Sequence, residues 1–485
     1  MRLRFLRLFL GVAAFAWGIS FVGVFYIFSQ AAENSSVSDS IRHETIPVQA
    51  PFAMPAIAVP VFPQRTFVVT NFGAVEGGDI SEAIRQAIAA CHDAGGGSVV
   101  IPRGRWLTGT IHLQSNVNLH LAGGAVLLFS SDPQDYLPAV QSSWEGLECF
   151  NYSPLVYAFG CTNIAITGKG TLEAKLDVWK EWFARPPAHL AALKQLYTMT
   201  ATNAPVKQRQ MAVGENHLRP QFIQFNRCQN VLIEDVKIRN SPFWTIHLLL
   251  CADVVVRRVD ISARNHNNDG IDPEMTRNLL VEDCRFDQGD DAIAIKAGTD
   301  RDGRRLNTPT ENVVIRNCTM LRGHQLVAIG SELSGGIRNV SVHDCKFINA
   351  DADKPQNILF IKTNRRRGGF VENIFVENIT AKGTQFGVLG IDTDVLYQWR
   401  DLVPTYEEKL TTIRGIHVKN VTVEETGSTP FKIVGDARLP VKDIFLENIT
   451  IQKATGQAKS CTNAENIHES GVRIVELVAD KKAGQ

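Results

Sequence analysis

The sequence predicts an all-β solenoid, a right-handed single-stranded parallel β-helix, and three observations carry that expectation. One short phrase recurs through the second half of the chain, its instances fall one coil apart, and apolar residues alternate with polar ones inside it. The phrase reads Asn, apolar, any, apolar, any, Asn or Asp, apolar. It occurs as Asn230-Val231-Leu232-Ile233-Glu234-Asp235-Val236, Asn278-Leu279-Leu280-Val281-Glu282-Asp283-Cys284, Asn312-Val313-Val314-Ile315-Arg316-Asn317-Cys318 and Asn339-Val340-Ser341-Val342-His343-Asp344-Cys345. Asn373-Ile374-Phe375-Val376-Glu377-Asn378-Ile379 continues it, followed by residues 415–421 and 443–449. Period-two alternation marks short strands, and a spacing of roughly 22 to 40 residues marks one coil per repeat. Stacked coils then bury one continuous core.

Equivalent residues of stacked coils lie about 4.8 Å apart, so side chains form ladders along the axis. Cys284, Cys318 and Cys345 take the inward phase that Val236, Ile379, Val421 and Ile449 take in other coils, and read as core hydrophobes. Cys161, Cys228 and Cys251 form a second ladder, each two positions ahead of the asparagine or aspartate of its coil. Stacked free thiols are the expectation for these six, although an exported protein permits disulfides. Cys91, Cys149 and Cys461 fit neither ladder, and no Cys-x-x-Cys or His/Cys spacing points to a metal.

Before the coils, Ala83, Ile84, Ala87, Ile88 and Cys91 fall at helical spacing, and Gly95-Gly96-Gly97 ends the segment. This helix is expected to cap the open end of the stack. Residues 179–217 break the coil pattern and read as an inserted, partly helical loop; residues 395–409, with Tyr397, Trp399 and Tyr406, read as another. At the start, Arg2, Arg4 and Arg7 precede an uncharged apolar run over residues 8–28. That run is either a cleaved signal, with Ser29-Gln30-Ala31 as the small-residue site, or a retained membrane anchor. The expected organisation is an export segment at 1–31, a Pro/Ser/Ala-rich linker at 32–64, the catalytic β-helix at 65–455 and a tail at 456–485. The body then lies outside the cytoplasm, periplasmic or extracellular.

Lysine plus arginine number 50 and aspartate plus glutamate number 50, so the chain carries no basic footprint for nucleic acid. A polyanionic partner needs a local basic patch instead. The chemistry-bearing residues sit where neighbouring coils depart from plain alternation. Asn265-His266-Asn267-Asn268-Asp269-Gly270-Ile271-Asp272 occupies one coil and Gln288-Gly289-Asp290-Asp291-Ala292-Ile293-Ala294-Ile295-Lys296 the next. Gly323-His324-Gln325-Leu326-Val327-Ala328-Ile329-Gly330 aligns with the latter, placing His324 over Asp290, and Lys362 shares the phase of Lys296. Adjacent strand residues face opposite ways, so Asp290 and Asp291 share a cleft only if the chain bends at Gly289. Three carboxylates within a coil spacing repel, and at least one should hold a proton near neutral pH. A proton donor beside ionised carboxylates is what glycosidic cleavage requires.

These segments, with Asn71-Phe72-Gly73-Ala74, Ser153-Pro154-Leu155, Ser241-Pro242-Phe243-Trp244 and Ile361-Lys362, resemble the polygalacturonase family of glycoside hydrolases, family 28. The resemblance implies a pectin-lyase-like fold and hydrolysis of galacturonide linkages in pectic polysaccharides or oligogalacturonides, with inversion and without cofactor or metal. It implies that Asp290 protonates the leaving oxygen, that Asp269 and Asp291 activate water, that His324 supports the site and that Lys362 binds a galacturonate carboxylate. Asn267, Asn268, Lys296, Arg366 and Tyr397 join Lys362 as candidate substrate contacts. The family pattern has Arg-x-Lys where this chain has Phe360-Ile361-Lys362, and glycine where Gln325 follows the histidine. Arg365-Arg366-Arg367 either compensates for the missing arginine or is a solvated charge run. Tyr397 and Trp399 either stack on sugar rings or pack their own loop. Two other readings remain open: a calcium-dependent polysaccharide lyase on the same fold, and a non-catalytic carbohydrate-binding β-helix.

Overall fold

At each corner of a coil the chain turns through one residue with left-handed backbone, a conformation asparagine and aspartate adopt more readily than most residues. The first residue of the repeated phrase, Asn230, Asn278, Asn312, Asn339 or Asn373, has φ between 55° and 57°, and the sixth, Asp283, Asn317, Asp344 or Asn378, between 54° and 57°. The phrase is therefore corner, strand, corner. The corner amides also bond along the axis: Asn312 Nδ2 donates to Asn278 Oδ1 at 3.1 Å, and Asn339 Nδ2 to Asn312 Oδ1 at 3.1 Å. Each such bond contributes about 1 kcal/mol.

The computed structural model describes residues 42–348, 355–397 and 399–478. Between corners the strands stack into parallel sheets, as expected for a right-handed parallel β-helix. One sheet, of eleven strands among the described residues, includes Ile271–Glu274, Ile293–Ile295, Gln325–Gly330 and Asn357–Lys362. Ile293 pairs with Val327 and Ile329 with Ile361, so the segments align as the sequence predicts. Leu359 and Ile361 enter the core, which sends Phe360 and Lys362 outward. All nine cysteines are free; the two expected ladders are buried with Cys91 and Cys149, and Cys461 is exposed. The Ser81–Asp93 helix buries Ala83, Ile84, Ala87, Ile88 and Cys91 against the first coils.

Two expected boundaries need correction. Part of the supposed linker pairs as antiparallel strands, Arg42–Ile46 with Ile57–Val61. Ile57 and Val59 then pack on Ala165, Leu232, Val255, Leu280 and Val314. Those five occupy the third position of the phrase, which points outward. An apolar stripe on the outer wall needs a cover, and this hairpin provides it. The supposed tail is also not a tail. Lys459–Thr462 pairs in parallel with Phe431–Val434, and Ala464–Ser470 and Arg473–Val478 pair with Val441–Thr455, adding a further coil. Its polar, exposed faces conceal the alternation.

The inserted loops are helical where expected, at Asp177–Phe183, Pro187–Ala201 and Trp399–Leu402. Trp179 and Trp182 of the first join the main core, whereas the other two form a second core with a hairpin of Val140–Trp144 and Leu147–Asn151: Trp144 stacks on Phe243 with ring centres 4.8 Å apart, and Tyr197 meets Trp399 at 4.8 Å. This second core walls one side of the site-bearing sheet. No helix among the described residues is long and apolar enough to cross a membrane, and the predicted signal or anchor lies outside the described residues.

Candidate active site

The site forms where the strand Arg285–Gln288 ends and the chain bends before Ile293–Ile295. The bend needs a glycine, because a Cβ at Gly289 would sit 2.4 Å from the Asn265 carbonyl oxygen of the preceding coil. Released from alternation, Asp290 and Asp291 both turn toward the cluster. His324 approaches from the next coil, its backbone N–H donating to Asp290 O at 2.8 Å and its Nδ1 lying 2.9 Å from Asp290 Oδ1. Lys362, one coil further, donates from Nζ to Asp291 Oδ2 at 3.0 Å.

Four successive coils thus deliver Asp269, the Asp290–Asp291 pair, His324 and Lys362 to one place. A cavity of about 470 Å³ opens over them, lined by Asp269, Asp290, His324, Lys296, Lys362 and Tyr397. Asp291 lies beneath Lys362, its side chain fully buried. Asn267 lines the cavity and accepts from Arg219 Nη2 at 3.1 Å. Gln325, in place of the family's glycine, donates to Gln356 Oε1 at 2.9 Å and accepts from Asn357 N at 2.9 Å, forming an amide network at the rim.

The charges are unevenly held. Burial pushes the Asp269 carboxyl well above its usual range, and the Asp290 charge adds to the rise. Asp272, just behind, rises for burial first and then for Asp269. Burial also raises Asp291, although Lys362 opposes it. Asp290 moves the other way: burial pushes its carboxyl up, but the bond to His324 and the charges of His324, Lys362 and Lys296 hold it below the usual range. The same contact acts on His324, where burial pulls the imidazole down and Asp290 lifts it to about 9. One proton therefore lies on the Asp290–His324 hydrogen bond across the neutral range, and burial favours the protonated form of Asp269 and Asp272.

Lys296 balances the rest. Its Nζ lies 3.0 Å from Glu332 Oε2, 3.7 Å from Asp272 Oδ1, 3.9 Å from Asp269 Oδ2 and 4.5 Å from the centre of the Trp244 ring. Buried charges persist only when so compensated. The ammonium expected to contact substrate is thus engaged with three carboxylates.

Two expected contacts fail. Asn268 is fully buried and donates to Ser241 O at 3.0 Å and Phe243 O at 2.9 Å, so it fixes the turn and does not face the cavity. Arg366 is buried too, with Nη2 donating to Val403 O at 2.7 Å and Nε to Thr405 Oγ1 at 3.0 Å. It ties down the 395–409 loop; Arg367 is buried and pairs with Asp300 at 2.6 Å, and Arg365 is exposed and pairs with Asp436 at 3.0 Å, so one member of the run is solvated and two are built into the fold. Trp399 is largely buried in the second core yet still lines the cavity, whereas Tyr397 is 58% exposed. Phe360 lines a separate cleft of about 230 Å³ with Phe386 and Gly390, which meets the catalytic cavity at Gln356.

Sequence reasoning missed Glu145, Arg185 and Glu332, which also line the cavity. Glu332 was readable, since it follows Gly330 at the end of the strand that shares its phase with Lys296. Glu145 and Arg185 belong to no repeat, and only the third dimension brings them in.

The family model for glycosyl hydrolases family 28 matches residues 203–471, a span holding every carboxylate of the cluster. A probable polygalacturonase of Vitis vinifera is 29% identical over 425 residues, covering 83% of this chain and 78% of that protein. An exo-poly-alpha-D-galacturonosidase of Dickeya chrysanthemi is 26% identical over 83% of this chain and 69% of its own length. Among solved structures, a hyperthermoactive exopolygalacturonase from Thermotoga maritima is similar at 37% identity and a TM-score of 0.76, covering 85% of this chain and 94% of the other. With its coils, its aspartate cluster and that match, the chain belongs to glycosyl hydrolases family 28.

Proposed function

We propose that this glycoside hydrolase cleaves galacturonide linkages of pectic polymers with inversion, Asp290 protonating the leaving oxygen while Asp269 and Asp291 activate water. The observation that carries the reading is the 2.9 Å contact between His324 Nδ1 and Asp290 Oδ1 beside two further carboxylates, and the raised pKa of His324 supports a proton on it. Transfer of that proton along the hydrogen bond makes Asp290 a neutral acid and His324 a neutral imidazole. Asp290 can then give the proton to the departing oxygen, and the charge it acquires is again met by Lys362 and Lys296. A carboxylate takes a proton from a water whose oxygen bonds the anomeric carbon on the face opposite the departing oxygen, as inversion requires. Asp269 must be ionised for that role. Its raised pKa favours a second reading in which Asp269 is the acid.

Release of terminal sugars is part of the proposal. It is supported by the exo-acting names of two relatives and by the wall of inserted segments that brings Arg185, Tyr397 and Trp399 into the cavity lining. Sizing products from pectic oligomers tests it: terminal mono- or oligosaccharide at early times supports the reading, and a ladder of internal fragments refutes it.

Asp290, Asp291 and His324 also offer three ligand atoms within 4.8 Å of one another, the one arrangement among the described residues that would suit a cation and hence a lyase. Lys362 bonded to Asp291 and the proton on His324 oppose a metal there. Turnover in excess chelator, without unsaturated ultraviolet-absorbing product, is the expected result; calcium-dependent turnover would replace hydrolysis by elimination. The apolar run at residues 8–28 supports export, with or without a retained anchor, and N-terminal sequencing of the mature protein distinguishes the two.

A further inference from the structure

Three lysine or arginine side chains line the catalytic cavity, and they differ in what they hold. Lys296 is bound by Glu332, Asp272 and Asp269, and Lys362 by Asp291. Arg185 forms no ion pair or hydrogen bond through its side chain among the described residues, and its Nε is buried without a partner. A guanidinium with a buried unpaired N–H is costly to maintain, so its persistence beside a substrate cavity points to a ligand that completes it.

The segment that carries Arg185 is built to present it. Arg185 connects the helices Asp177–Phe183 and Pro187–Ala201, with a left-handed φ of 52°. Trp182 stacks on His217 with ring centres 4.5 Å apart, fixing the end of the first helix, and Trp144 packs edge-on against His189 at 5.5 Å in the second. Its neighbours add positive charge. Arg219, fully buried, donates to Pro242 O at 2.7 Å and His266 O at 3.1 Å and lies over the Phe183 ring at 4.7 Å. Glu145 is the acidic residue nearest in influence, on the tip of a hairpin clamped by Thr299 Oγ1 donating to its carbonyl at 2.7 Å. Burial and Glu332 push the Glu145 carboxyl up to about 7, so in acid it does not neutralise Arg185.

Resting on the function proposed above, we infer that Arg185 is a specificity-determining residue that binds a carboxylate of the uronide substrate at the wall of the cavity. A guanidinium suits this because its fork meets both carboxylate oxygens. The assignment also accounts for Phe360: the cation missing from the coil strand is replaced in function by one from an inserted segment, at a different place on the substrate.

The test compares wild type, Arg185→Ala, Arg185→Gln and Arg185→Lys on trigalacturonate and on the same trimer with its carboxylates methyl-esterified. On the free acid, the alanine and glutamine variants should raise KM roughly 10- to 100-fold with kcat changed less than about threefold. Arg185→Lys should recover part of the loss, and the esterified trimer should be affected less than about threefold by any variant. An equal loss on both trimers, or no rise in KM on the acid, overturns the inference. Calorimetry with trigalacturonate in an Asp290→Asn background, with and without Arg185→Ala, reads binding independently of turnover. Absence of cleavage by wild type refutes the proposed function alone, whereas trigalacturonate affinity indifferent to Arg185 refutes this assignment alone.

Discussion

Replacing Asp290 by asparagine removes a proton carrier and leaves almost every contact of the residue in place. The backbone bond from His324 N to Asp290 O, 2.8 Å, does not involve the side chain. The bond from Asp291 N to Asp290 Oδ1, 3.0 Å, can be made to an amide oxygen as well. What is lost is the charge opposite His324 and the ability to deliver a proton. General acid catalysis is worth roughly 10²- to 10⁴-fold, or about 2.7 to 5.5 kcal/mol in the barrier. Glycosidic oxygens of natural polymers are poor leaving groups, which places the expected loss toward the upper end. The assay is initial-rate measurement on galacturonate oligomers beside an activated aryl galacturonide. Asp290→Asn should lower kcat on the oligomer about 10⁴-fold, change KM little, and cost far less on the aryl substrate. Asp269→Asn and Asp291→Asn, which impair water activation, should cost similar factors on both substrates. If Asp269→Asn is the variant rescued by the aryl group, Asp269 is the acid. If Asp290→Asn keeps near-native rates on oligomers, or fails to fold, the residue is a turn former and the reasoning fails.

Three other outcomes follow from the geometry. His324, lifted to about 9 from an ordinary value near 6.5, carries the shared proton below that pH, so kcat/KM should fall as pH rises through about 9, and His324→Gln should remove that limb; a limb that survives belongs to another group. Lys296→Met should destabilise the protein by about 3 kcal/mol at pH 7, because Glu332, which burial pushes up and Lys296 then holds near 2, loses its cation. A lowered carboxylate stabilises above its unfolded pKa near 4.3 and loses this as pH falls through the folded value, so the penalty read by denaturant unfolding should shrink from pH 7 toward pH 3; a pH-independent penalty would mean packing. Phe360→Arg should raise activity on bare polygalacturonate relative to methyl-esterified pectin about tenfold, and an unchanged ratio would show that the cleft of Phe360 and Phe386 lies beyond the substrate.

The repeated phrase made the coil register legible, because corner asparagines and alternating strands are local chemistry. Register in turn placed His324 over Asp290 and Lys362 over Lys296. The third position of the phrase held a further signal. Ala165, Leu232, Val255, Leu280 and Val314 are apolar on an outward face, which implies a cover, yet the hairpin that supplies it looks like linker on its own. In the later coils that position carries Phe375, His417, Phe445 and His468, stacked at 4.6, 4.5 and 4.9 Å, so the aromatic faces cover one another, and Phe52 between the hairpin strands meets Phe375 at 6.2 Å. Arg366 and Asn268 mislead because charge and polarity suggest solvent, while both spend their donors on buried carbonyls. Arg185 and Glu145 were invisible for a different reason: residues supplied by insertions obey no period.

The thiols give the coil stack a built-in clock. In the folded protein Cys461 is exposed on the last coil, Cys149 is buried in the second core, and seven others lie in the interior from the cap helix to the coil of Cys345. A maleimide dye would react once and quickly, then wait on structural opening for each further adduct. Because the interior thiols are spread along the axis, mass spectrometry of the order in which they are captured would map from which end the solenoid unzips, coil by coil, with no residue added to the protein.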